Sequence, residues 1–342
     1  MIKKIMVFIL SFFSAFVILI NSSAVSLGAI NGVIVCGKII IPSLFPFSVI
    51  CIFLIKANIF SVFEKSLSLF SFKIFGIPSS GFFAMILSFI GGYPIGAKMI
   101  QSLHNQNKIS ENVASKMLYY CVNAGPAFIL IAVGENVFGS KKAGIILLCA
   151  HLFSSLIMAI FIGRFIKETE IKSTTTKNKM NLSEAFVEAT SDSCSAIISI
   201  CSYVVLFSTI IQILKNANIP FLLYGICPLL EVTTGVFNIR NIYIIAALLG
   251  WGGFCVHFQI FSVCKSININ KIYFFLSRII HASLSVLILY LLLKIFPVSI
   301  NTLSNNTSFS NSFSTLTTVS SLCFILSGIV LLFAVNGKNV DY

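Results

Sequence analysis

Charge is what this sequence has least of. Only 10% of its 342 residues are Asp, Glu, Lys or Arg, against about 25% in soluble domains, while 57% are hydrophobic and the mean hydropathy is +1.01. A chain so poor in charge cannot coat a water-facing surface, so no separate soluble domain is expected. Its length accommodates roughly seven to nine spans of about 20 apolar residues. Catalytic signatures are lacking as well. There is no G-x-x-x-x-G-K-[ST] phosphate loop, no H-E-x-x-H and no G-x-S-x-G, which argues against ATP-driven pumping by this chain and against an enzyme. No C-x-x-C pair occurs among the ten cysteines. Cys36, Cys51, Cys121, Cys149, Cys201, Cys255 and Cys323 stand inside apolar runs and read as small buried hydrophobes. No metal or cofactor is expected. The net charge of +13 would suggest nucleic acid in a soluble protein. Here the Lys and Arg sit mostly in short loops between apolar runs, where they set topology and meet lipid headgroups, and no nucleic-acid partner is expected.

What is present is an all-α pattern of apolar segments interrupted by glycine and proline. Residues 1–24 read as a first transmembrane helix or signal anchor, with cleavage after Ala24 the alternative. Asn21 to Gly32 reads as a short external turn, followed by a kinked helix over Val33 to Ile59 and an interfacial stretch over 60–79. A first repeat is expected over 25–166, a charged cytoplasmic loop over 167–182 and a second repeat over 183–296. A Ser/Asn-rich loop and last helix fill 297–342. The repeats rest on three correspondences: Ala57-Asn58-Ile59 with Ala217-Asn218-Ile219, Gly91-Gly92 with Gly252-Gly253, and Lys108-Ile109 with Lys271-Ile272. Lys3 and Lys4 place the N-terminus in the cytoplasm, and so does the charge of the 167–182 loop. Five full spans between them would put that loop outside. A re-entrant hairpin at Gly91-Gly92-Tyr93-Pro94-Ile95-Gly96-Ala97-Lys98 restores the parity and makes the repeats inverted, an arrangement used by alternating-access transporters.

Helix breaks at membrane depth free backbone groups that water cannot reach, so they survive only inside protein or beside a wet cavity. The candidate solute-binding residues are therefore Gly91, Gly92, Tyr93, Pro94 and Lys98 at the first break and Gly252, Gly253, His257 and Gln259 at the second. Asn123, before Gly125-Pro126, and Glu231, in a stretch rich in hydroxyls, complete the set. Each has a plainer reading. Lys98 snorkels, Asn123 bonds a neighbouring helix, Glu231 is an interfacial acid, and Glu135 is solvated. His257 and Gln259 share no face on a helix, and no second ligand stands three or four residues from His257, so no metal site is expected.

Taken in order, Ile41-Pro42-Ser43-Leu44-Phe45-Pro46-Phe47, the octet at 91–98, Asn123-Ala124-Gly125-Pro126, Leu230-Glu231-Val232-Thr233-Thr234-Gly235 and Leu249-Gly250-Trp251-Gly252-Gly253 through Gln259 resemble the YlbJ family of sporulation integral membrane proteins. The resemblance covers roughly residues 30 to 295. It implies a nucleoside-recognition, or gate, type of domain, an endospore-forming bacterium and a role in making the spore. Gly91 departs from it, standing where a serine is expected. The function so implied is a transporter-like gate for a small polar solute in the cell membrane, and the alternative is a non-transporting organiser of the spore envelope. Implied partners are the lipid bilayer, an unknown solute, and further copies of the chain or other spore-formation membrane proteins.

Overall fold

A computed structural model describes residues 2–166, 181–216 and 225–298. Most of the expected charged loop, and the Ser/Asn-rich loop and last helix, lie outside the described residues. Among these residues the protein is all-α, without a strand. Four helices are long and apolar enough to cross a membrane, spanning 141–163, 182–216, 242–263 and 271–295.

Helix α1 (Ile2–Ile20) turns by 90° into α2 (Ser22–Val35). The external turn expected at Asn21 to Gly32 is thus mostly helix. A π-helical turn, Cys36–Ile40, carries α2 into α3 (Ile41–Lys56). Together they run antiparallel to α9 (Leu182–Asn216). Gly28 meets Thr209, Gly32 meets Val205, Cys36 Sγ reaches the Cys201 carbonyl, and the Phe53 and Phe186 rings stand 5.9 Å apart. The turn reading rested on the polarity of this stretch. Ala24, Gly28 and Gly32, all buried, instead repeat every fourth residue on one helix face, and small residues at that spacing let helix backbones touch in lipid.

Helices α4 (Glu64–Phe75), α5 (Ser79–Gly91), α6 (Tyr93–Asn105) and α7 (Glu111–Met117) follow. Then come an unwound stretch over 118–125, a π helix (Phe128–Glu135) and α8 (Lys141–Gly163). Helices α5 and α6 form a hairpin. A Cβ on Gly96 would lie 2.7 Å from Ser88 Cβ, whereas eight residues of straight helix span about 12 Å. In the second half α10 (Cys227–Leu230) and α11 (Val232–Asn238) fold back likewise, since a Cβ on Gly235 would lie 2.7 Å from Pro228 Cβ. Helices α12 (Ile242–Trp251) and α13 (Gly253–Val263) form one span despite the break at Gly252, and α14 (Lys271–Ile295) closes the described chain.

Side-chain contacts sort the elements into two ends. At one, Lys56 pairs with Glu188 (2.5 Å) and Asp192 (3.3 Å), Lys98 approaches Asp192 (4.0 Å), Gln101 bonds Ser266, and Lys116 bonds the Phe165 carbonyl. At the other, Arg240 bonds the Val137 carbonyl and Lys142 that of Pro297. The α5–α6 hairpin has its feet at the first end. Helix α9 leaves the first end and α12 returns from the second, so the α10–α11 hairpin between them enters from the second. Each half therefore holds a long helix, a hairpin and a broken span, in opposite orientations. This equivalence differs from the spacing in the sequence: the hairpin tips are Gly92 and Glu231, and the broken spans are interrupted at 118–125 and at Gly252. The Gly91-Gly92 and Gly252-Gly253 pairs are alike in chemistry but occupy different places in their halves.

Candidate functional site

The hairpin tips and the span breaks meet at the centre. Gly92, with φ of 89°, adopts backbone that disfavours side chains, and a Cβ there would face Gly125 at 3.4 Å. Pro94 sits in the first turn of α6, where its missing N–H costs nothing. Gly91 ends α5, its surface covered by Ile95. Tyr93 crosses to the second half: its hydroxyl donates to the Leu249 carbonyl (2.7 Å), and its ring lies 3.3 Å from the Cβ position of Gly252. Gly253, with φ of 79°, packs on the other tip, its Cβ position 3.1 Å from the Leu230 carbonyl oxygen and 3.2 Å from Glu231 Cα. Glu231 breaks α10 from α11 in an extended conformation, and its Oε1 accepts the Thr233 N–H (2.9 Å).

His257 donates Nδ1–H to the Gly253 carbonyl, so it holds the first turn of α13, and its ring lies among Trp251, Phe254, Phe274 and Phe275. Gln259 faces Cys255 on the same helix (3.2 Å). Asn123 Nδ2 donates to the Tyr120 carbonyl, three residues back along the unwound stretch. Gly92, Tyr93, Gly252, Gly253 and Glu231 are thus brought into contact, and Asn123 lies two residues from the Gly125 that Gly92 touches. Lys98 belongs instead to the ion-pair cluster at the first end.

Four residues absent from the sequence expectation carry this centre. Arg278, 1% exposed and two turns into α14, donates Nη1 to the Val122 carbonyl (2.6 Å) and Nη2 to that of Tyr119 (2.5 Å). Ser155 Oγ donates to the Tyr120 carbonyl, and His151 Nε2 accepts the Ala124 N–H (2.9 Å). These side chains supply hydrogen bonds that the 118–125 stretch forfeits by not being helical. His281 lies against His151 with ring centroids 4.6 Å apart and bonds its carbonyl (3.0 Å). The signal was present. Arg278, His151 and His281 are ionisable residues inside apolar runs, the feature that marks function at membrane depth, but they stand outside the glycine and proline breaks from which the candidate residues were drawn.

Long apolar helices with a set of polar side chains buried between them define a multi-pass helical membrane protein. Within that class, the chain is similar to the sporulation integral membrane protein YlbJ of Bacillus subtilis (strain 168), with 22% identity and coverage of 77% of this chain and 76% of that protein. The similarity supports placing the chain in the YlbJ family. No family model and no solved structure matches it.

Proposed function

We propose that this protein acts in spore formation as a gate that passes a small polar solute across the membrane, without catalysing a reaction. The observation that supports the reading is the meeting of hairpin tips and span breaks at Tyr93–Gly252, inside a layer of buried polar groups. Half-helices that end at mid-depth around polar side chains are the means by which many transporters hold solutes while the halves rock. The tie to sporulation comes from the relative's name, and the gate or nucleoside-recognition character from the motif resemblance. The lipid bilayer is the surrounding partner, and further copies or other spore-formation membrane proteins are proposed neighbours.

The competing reading is a membrane organiser of the spore envelope. The tight Gly134–Gly144 contact, where a Cβ on Gly134 would lie 2.6 Å from Gly144 Cα, suits a protein built for packing. Deleting the gene in its host separates the broad claims. Normal vegetative growth with fewer heat-resistant spores is expected. Normal spore yield with a growth defect on one nutrient would replace the sporulation role by housekeeping transport.

A further inference from the structure

The polar face of α6 is turned into the protein. Lys98, Gln101, Ser102 and Asn105 recur at positions i, i+3, i+4 and i+7, which is one side of a helix, and Gln101 and Ser102 are each only 7% exposed. In a chain folded in lipid, an inward polar stripe needs polar company or a wet cavity. Here it has both, for it borders a cavity of about 280 Å³ between the two halves. Lys56 of α3 joins it from the first half, and Asp192 of α9 and Lys265, just beyond α13, line it from the second. The volume is just under the roughly 300–1,000 Å³ usual for ligand sites, so the cavity suits a small occupant.

The lining carries more positive charge than it neutralises. Lys56 takes up the available carboxylates, with Glu188 Oε2 at 2.5 Å and Asp192 Oδ2 at 3.3 Å. Lys98 is left 4.0 Å from Asp192 Oδ1, beyond hydrogen-bond reach. Lys265 pairs with no carboxylate of the described residues. Three ammonium groups thus meet two carboxylates. A neighbouring cavity shares Lys265 and adds Glu111 and Lys271, one charge of each sign, so the positive excess stays. An acceptor is left over too. The Gln101 amide donates Nε2 to Ser266 Oγ (2.5 Å) and Asn105 Oδ1 (3.3 Å), and Ser266 donates to the same Asn105 oxygen (2.8 Å). Gln101 Oε1 is buried without a partner. A buried acceptor without a donor is costly, and a ligand that brings an O–H or N–H relieves it.

We propose that this cavity binds a small organic anion with a hydrogen-bond donor of its own, such as a hydroxy acid or the phosphate ester of a small alcohol. Lys98 and Lys265 take the carboxylate or phosphate, and Gln101 Oε1 accepts the donor. Because Lys98 belongs to the first half and Lys265 to the second, the bound anion ties the halves together. An anionic lipid headgroup offers similar chemistry, but the side chains of Lys56 and Lys98 are only 15% and 18% exposed, which favours a solute held between the halves. Along α6 the cavity begins five residues, roughly 7.5 Å, beyond Tyr93, on the first-end side of the central contact. The proposal deepens the gate reading by naming the class of solute, and it rests on that reading for the cavity's place on a path across the membrane. Occupancy itself does not require transport.

The test uses the full chain in neutral detergent and follows its thermal unfolding midpoint at equal ionic strength. L-malate and glycerol phosphate are the probes, succinate is the anion without a hydroxyl, and chloride is the reference. A saturable rise with L-malate or glycerol phosphate, larger than that with succinate, is expected. Lys98→Gln should weaken the apparent affinity about tenfold or more, the worth of a hydrogen bond to a charged group. Lys265→Gln, at an exposed position, should weaken it without lowering the midpoint in chloride. Asp192→Asn should lower the midpoint in chloride by loosening the pairing with Lys56. It should also tighten probe binding about threefold, the worth of an exposed ion pair, by removing the carboxylate that competes for Lys98. A purely structural cluster predicts the same fall in chloride with no change in the response to the probe. Where Lys98→Gln fails to accumulate, the other two variants decide. No rise with either probe, a rise no larger than that with succinate, or a rise that Lys265→Gln and Asp192→Asn leave unchanged would overturn the proposal. So would a Lys265-dependent rise given by phosphatidylglycerol micelles and by neither soluble probe, which would assign the site to a lipid headgroup. Uptake into proteoliposomes addresses the gate separately. Probe binding without uptake of any solute ends the gate reading and keeps the site, whereas uptake of an uncharged solute with no probe shift ends the site alone.

Discussion

Glu231 and Gly253 touch, yet they should fail in different ways when changed. Glu231→Gln keeps the shape and an oxygen that can still accept the Thr233 N–H, so α11 should form normally and the protein should accumulate. If the carboxylate binds a coupled cation or a cationic part of the solute, heat-resistant spores should nonetheless fall severely. Normal spores at normal abundance would remove Glu231 from the gate. Gly253→Ala adds strain of about 1–2 kcal/mol from the positive φ alone, together with a contact of 3.1 Å against the Leu230 carbonyl oxygen. Gly253→Leu must also push the Glu231 tip aside. A stepwise drop of the unfolding midpoint from wild type to Ala to Leu is expected, and an unchanged midpoint in both would contradict the contact.

Among the elements, the seam between α2 and α9 is one that depends on small residues. A Cβ on Gly28 would lie 2.7 Å from Thr209 Cα, and one on Gly32 would lie 2.7 Å from Val205 Cα. In lipid there is no hydrophobic gain to offset a separation of helices, so their association depends on this approach. Gly32→Leu should therefore reduce the amount of folded protein in the membrane several-fold. Ile30→Phe, on the exposed side of the same helix, should leave it unchanged. Equal accumulation of the two variants, measured in membrane fractions, would show that the seam contributes little.

For the whole molecule the structure makes a topological demand. Helix α6 ends at Asn105, and α9, which follows the charged loop, carries Glu188 and Asp192 in its first three turns. The contacts of Lys56 and Lys98 with these acids place both ends on one side. The lysines gathered on that side lead us to expect it in the cytoplasm. In a variant without accessible native cysteines, Asn105→Cys and Thr175→Cys should be labelled from the same face by a membrane-impermeant reagent. Labelling from opposite faces would break the α5–α6 hairpin and the inverted arrangement with it.

The sequence by itself determined the solvent this chain folds in, because so little charge cannot face water, and it determined where helices must break, because Gly92, Pro94 and Gly252 disrupt a helix wherever it lies. Lysine placement together with span parity also led to the expectation that one segment returns to its own side. Only the tertiary structure decided which breaks are tips and which are span interruptions. Glycine chemistry is the same in both, and what distinguishes them is whether the flanking helices fold back, as at Ser88 and Gly96, or continue, as across Gly252. It also decided the roles of Arg278 and His151. A side chain inside an apolar run has an obvious position but no visible partner. The carbonyls of Tyr119 and Val122 and the N–H of Ala124 come within its reach only when α8 and α14 pack against the unwound stretch.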